Sequence, residues 1–167
     1  MKASHLFFVC LFLFVLPVFT DDLTIVERNL NWYEENYKLI HEKLKNGSEQ
    51  EAEPILKAIL DLWKHRDGAI GLEISSAMAE AFIHHPDLTF SWFAANRSDF
   101  DEWVERVPYC LLTNYSDREN HQKLEKLRKR LSQAMKLFYE KTDNESYRAM
   151  AIQLQKQLEE SPIRDID

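Results

Sequence analysis

Residues 23–45 read "LTIVERNLNWYEENYKLIHEKLK". Apolar side chains fall at Leu23, Val26, Leu30, Tyr33, Tyr37, Ile40 and Leu44, in alternating steps of three and four. That spacing keeps one face of a 3.6-residue period apolar and leaves the opposite face polar. The stretch is therefore predicted as one helix with one continuous stripe. A run of three heptads also suits a coiled coil, but two tyrosines in the seam favour packing against the protein's own core.

Downstream, the same period recurs between breaks. "NGSEQEAEP" interrupts it, with Ser48 and Glu51 spaced as a capping box and Pro54 placed for a first helical turn. Ile55, Leu56, Ile59, Leu60 and Trp63 then share a face, and Asp67-Gly68 is expected to close this helix and cap the next. Ile70, Ile74, Met78, Ala81 and Phe82 line a third helix, which Pro86 should end near His85. Asp87 is expected to cap a short helix over 88–95. Ser98 with Asp101 should start another, which Pro108 stops. "YCLLTNY" has no second strand to pair with and reads as a buried connection. Ser116 with Glu119 forms a further capping box before a long helix, and Tyr147, Met150, Leu154 and Leu158 mark a last one before Pro162. No segment alternates with period two. The fold class is all-α, a compact bundle of about seven helices in antiparallel hairpins.

Upstream, "MKASHLFFVCLFLFVLPVFTDD" has a basic start at Lys2, an apolar run over 6–16, a break at Pro17 and acidic residues after it. This layout is that of a secretory signal peptide over 1–20, preceding one helical domain over 21–167. A helix over 6–19 would be about 21 Å long, short of the ~30 Å hydrocarbon core. Membrane association is thus expected only if the leader is retained. Secreted or periplasmic placement follows, although only Thr20 before the expected cut is small. Cys10 lies in the leader, so Cys110 alone would remain, read as a small buried hydrophobe.

Pro54, Leu56 and Asp67 recur as Pro86, Leu88 and Asp99, each 32 residues later. On these residues and the successive short hairpins, the segment from Ile55 to Val107 resembles the HEAT-like helical repeats of small secreted bacterial proteins. The resemblance implies a stacked-hairpin fold and no activity.

The chemistry-bearing residues are few. In "IHHPD", His84 and His85 point about 100° apart on a helix and do not suit one metal ion. Glu80 and His84 are one turn apart and could supply two ligands, with a third needed from elsewhere. Histidines in a last helical turn also suit the negative end of the macrodipole, and that account is the simpler one. "HEKLK" from His41 fails the zinc-protease motif because Lys45 replaces the second histidine. No phosphate loop, dinucleotide glycine pattern or nucleophile elbow occurs. The acids of "SDFDEWVE" lack the glycine turn of a calcium loop and suit a helix start. No catalytic residue, metal ligand or cofactor is assigned.

Four Asn-x-Ser triplets begin at Asn46, Asn96, Asn114 and Asn144. They are read as helix caps and turns rather than as glycan acceptors. The net charge is −7, with acids dominating up to residue 115 and bases dominating over 116–141. Nucleic acid is an improbable target for such a chain. "KLEKLRKRL" reads as a solvated face partly neutralised by the acidic helices. The short helix over 88–95 is apolar nearly all round, and Phe90, Trp92 and Phe93 are the candidate partner-binding residues. The functional expectation is a non-catalytic exported protein that binds another protein through a helix-built surface. The alternative is a small periplasmic hydrolase or metal-binding protein using carboxylates and His84.

Overall fold

A computed structural model describes residues 20–65 and 68–166, with side chains from Glu27 onward. The signal peptide expected over 1–20 lies outside the described residues except for Thr20, and the cap expected at Asp67 lies outside them too. Eight helices are present among them: α1 Thr20–Glu35, α2 Tyr37–Asn46, α3 Glu49–Lys64, α4 Gly68–His84, α5 Pro86–Ala95, α6 Arg97–Cys110, α7 Arg118–Tyr139 and α8 Glu145–Glu160. Two residue pairs, β1 Thr113–Asn114 and β2 Arg164–Asp165, form a minimal parallel ladder. The all-α class expected from the seams is what the chain adopts, and none of the helices among the described residues is long and apolar enough to cross a membrane.

α4 is the central element, packing against α2, α3, α5, α6 and α7. Its sequence explains this position. Gly71, Ser75, Ala77, Ala79 and Ala81 are buried beside Ile70, Ile74, Met78 and Phe82, so small side chains let neighbouring helices approach from nearly every side. The buried Ser75 hydroxyl is satisfied by donating to the Gly71 carbonyl one turn back. α7 and α8 run antiparallel, since Arg128 reaches the Leu158 carbonyl while Arg148 reaches that of Tyr139.

The heart of the core is aromatic. The Phe82 ring stacks on Trp103 at 4.9 Å and on Phe93 at 5.6 Å, and meets Phe90 edge-on at 5.0 Å. Phe100 closes the group against Phe93 at 5.4 Å. These rings come from α4, α5 and α6, so three successive helices share one cluster. Trp63 of α3 joins by donating its indole N–H to the Asp99 carbonyl at 3.1 Å.

Several boundaries differ from the sequence reading. The helix expected over 23–45 is two helices broken at Asn36, whose side-chain amide donates to the Trp32 carbonyl at 2.9 Å. The break rotates Tyr37 out of the seam, so that it is 44% exposed while Tyr33 is fully buried. Tyr33 instead ties α1 to α4 by donating its hydroxyl to the Glu73 carbonyl at 2.9 Å, and burial pushes its phenol well above the ordinary range. Tyr33→Phe keeps the ring and removes the bond, and should lower the urea midpoint by the equivalent of about 1 kcal/mol.

Pro86, not Asp87, opens α5, with His85 at the cap position. Pro108 does not stop α6. The helix runs on to Cys110, and the Leu111 and Leu112 amides both donate to the Val107 carbonyl. The start of α7 is capped by Asp117 rather than Ser116, its carboxylate accepting from the Asn120 amide at 2.9 Å. The connection after α6 does find a strand partner, in the tail beyond Pro162. Arg164 N–H donates to the Leu112 carbonyl at 2.8 Å, and Ile166 N–H to that of Asn114 at 3.1 Å.

Candidate functional site

The residues singled out for partner binding are divided by the fold. Phe90 and Phe93 are fully buried in the aromatic cluster. Their place in the core removes them from any surface. Trp92 alone of the three keeps a solvent-facing part, with the Lys64 ammonium 5.2 Å from its ring centre. It borders a shallow groove between α3 and α5, floored by Leu56 and Leu60 and rimmed by Glu53 and Lys57.

A larger concavity lies where α2, α4 and α7 meet the connection after α6. This cleft of about 430 Å³ is lined by Tyr37, Leu72, Glu73, Ser76, Cys110, Leu111, Thr113, Tyr115 and Leu124. Tyr37, Leu72 and Tyr115 are 44%, 38% and 60% exposed. Each is placed there by a local feature. The Asn36 break turns Tyr37 outward, Leu72 lies in the first turns of α4, and Tyr115 follows the β1 ladder. The sequence reading put Tyr37 in the core seam and passed over Leu72 and Tyr115. A signal for Tyr37 existed in the asparagine directly before it, since asparagine competes with helix for backbone bonds. Cys110 is half-buried in the cleft wall, and burial pushes its thiol up. It packs near Gly71, where an added Cβ would stand 3.4 Å from the sulfur. A raised thiol with no histidine lining the same cleft has the character of a packing group, not a nucleophile.

Glu80 and His84 do come together, with His84 Nε2 3.4 Å from Glu80 Oε2. A cation already occupies this carboxylate: Arg130 of α7 grips both its oxygens, at 3.0 and 2.8 Å. Such a bidentate pair places a guanidinium where a metal ion would have to sit. Among the described residues no three of His, Cys, Asp or Glu are grouped to hold a metal ion. Glu73 lines the cleft, Glu80 and His84 lie in the α4–α7 seam, and Trp92 of the aromatic helix borders the separate α3–α5 groove.

The basic stretch of α7 is largely paired. Lys123 pairs with Glu119, Arg128 and Lys129 pair with Glu125, and Arg130 pairs with Glu80. Two acids of α6 are likewise matched, Asp101 by Arg97 and Glu102 by Arg106.

The four Asn-x-Ser asparagines occupy different settings. Asn46 ends α2 in solvent. Asn96 donates its amide to the Trp92 carbonyl at 2.9 Å. Asn144 caps α8, accepting from the Ser146 and Tyr147 amides at 3.0 and 3.2 Å. Asn114 is 4% exposed and uses its full bonding capacity. Its nitrogen donates to the Asp117 carbonyl at 3.1 Å and to Asp165 Oδ1 at 2.8 Å, while its oxygen accepts from the Ser116 amide at 3.1 Å and from Asn120 at 2.7 Å. His121 Nδ1 meets Asp165 at 2.9 Å. These bonds hold the carboxyl of Asp165 below its ordinary range, Asn114 contributing most. Of the serines expected to cap, Ser48 does so at α3, whereas asparagine or aspartate takes that position at α6, α7 and α8.

No protein-family model, curated protein or solved structure matches this chain.

Proposed function

We propose that this is a non-catalytic exported helical protein that binds another protein through the cleft between α2, α4 and α7. The observation that carries the reading is the gathering of Tyr37, Leu72 and Tyr115, exposed large apolar side chains, on one concave wall. The other large exposed apolar residues, Leu39, Tyr109, Leu137, Ile152 and Ile166, do not line this cleft. Tyrosines suit recognition because they bring wide amphipathic area at low conformational cost. Around them are Glu73, Ser76 and Thr113, polar groups that could fix a partner's register. The leader-like start and the stacked hairpins of α3–α6, with their likeness to HEAT-like repeats, fit the same reading.

A photo-crosslinking residue at Tyr115, tested in the cell that makes the protein, should yield one discrete adduct. Leu72→Arg, which puts a charge on the cleft wall without entering the core, should abolish that adduct. A crosslinker at Ile152, exposed on α8, should give none. Equal or absent adducts from both positions would remove the cleft as the binding surface.

A further inference from the structure

We propose that the seam joining α2, α4 and α7 is a proton-sensitive joint, in which His41 and His84 must stay neutral for the three helices to hold their packing. The arrangement of donors around Glu80 and Arg130 carries this. The guanidinium of Arg130 has only donors. Its Nη2 lies 2.8 Å from Glu80 Oε2 and 3.3 Å from His84 Nε2. For the contact with Arg130 to be a hydrogen bond, His84 Nε2 must accept, which requires a neutral ring with its proton on Nδ1. Adding a proton at Nε2 turns that contact into two donors facing each other. The imidazolium would donate instead to Glu80 Oε2, 3.4 Å away, so that one carboxylate serves two cations. Protonation thus sets α4's own histidine in competition with the ion pair that fastens α7.

His41 adds a second, independent load. Its ring packs on Tyr37 at 4.3 Å between centres, and its Nε2 is buried without a protein partner. A proton there would introduce charge into a site that supplies no acceptor for it. The groups facing the two rings are Glu80 from α4, His85 at the cap of α5, Lys45 from α2 and Arg130 from α7. Glu80 is the one acid among them, and it is engaged by Arg130. Burial is the largest influence on both histidines and holds both below the ordinary value, with Glu80 pulling the other way.

The direction of the pH effect follows. A histidine depressed in the folded state takes up its proton more readily when unfolded. Stability is whole above about pH 6.5, the ordinary histidine value, and falls as pH drops below it through the folded midpoints. The depressed carboxylates, Glu51, Glu119, Glu125 and Asp165, act in the separate range below their ordinary value of 4.5 or less. Tyr37 and Ser76, one turn before His41 and Glu80 on the same helices, belong to the cleft wall. The joint is argued from its own contacts, however, and stands whether or not the cleft takes a partner.

The test is a histidine titration by NMR on the whole chain, paired with urea unfolding at pH 7 and pH 5. Both His41 and His84 should titrate below 6.5. Either one titrating at or above that value would mean that Glu80's attraction dominates, and would overturn the proposal. In urea, the wild type should lose stability between the two pH values. For each whole unit of depression of a histidine, its unfolding constant should rise about tenfold well below the folded midpoint. His84→Gln keeps an acceptor for Arg130 and His41→Phe keeps the ring on Tyr37, so the double variant should be nearly flat over the same interval. A loss in the double variant equal to that of the wild type would also overturn it. Should His41→Phe fail to fold, the wild-type titration and His84→Gln alone still decide the outcome.

Discussion

Phe82→Ala will lower the unfolding free energy by about 3–5 kcal/mol, measured as a fall in the urea midpoint at unchanged slope. The ring is fully buried and lies among Trp103, Phe93, Phe90 and Phe100. Its removal leaves a cavity walled by rigid rings that cannot collapse into the space, which is the condition for the upper part of that range. Domain stabilities are about 5–15 kcal/mol in total, so this one change removes a large fraction. Trp92→Ala is the control. It deletes a larger side chain from the neighbouring helix, but a partly exposed one, and should cost less than half as much. Equal losses at the two positions would mean that the aromatic cluster is not the centre of the fold.

Asn114→Asp will cost about 2–4 kcal/mol at neutral pH, and its effect will concentrate in the tail. The substitution keeps shape and replaces the side-chain nitrogen, which donates to the Asp117 carbonyl and the Asp165 carboxylate, with an anionic oxygen. Two carboxylates would then face each other where a hydrogen bond had been, at a buried position. Amide exchange at Arg164 and Ile166, whose N–H groups bond β1 and its neighbour, should accelerate far more than exchange in α4. Asn114→Ala should also free the tail, but with less loss, because it adds no charge. Uniform acceleration across all helices would show instead that the clasp and the bundle unfold as one unit.

The seams of α3 and α8 were legible because each buries apolar residues that recur at helical spacing along one face. The Ser48–Glu51 box was legible for the same local reason, with the Glu51 carboxylate accepting from the Ser48 amide at 3.0 Å. What escaped the sequence falls into two kinds. One is competition within a single turn. Asn36 leaves helical backbone angles while its side chain joins its own N–H on the Trp32 carbonyl, and there a helix whose stripe looked continuous breaks. Pro108, expected to end α6, removes only one bond near a terminus that Leu111 and Leu112 close by sharing the Val107 carbonyl. The other kind depends on distant partners. The grip of Arg130 on Glu80 joins residues 50 apart, and that of Asn114 on Asp165 joins residues 51 apart. Periodicity carries no information about either. The candidate site suffered most, because Phe90 and Phe93 have the composition of a contact surface and the position of a core. Tyr37, Leu72 and Tyr115 became neighbours only through tertiary packing.

The parallel ladder between β1 and β2 also sets an order of events. A ribosome delivers Asn114 long before Asp165, its partner 51 residues later. During that interval the asparagine has half of its hydrogen-bond donors' work undone, and the Leu112 carbonyl lacks its mate. A chain interrupted within α8 could already hold many of its greasy contacts and yet present a loose, thirsty edge after α6. Exposed strand edges invite pairing with other chains, so the interval before Asp165 arrives is the one in which this edge stands open.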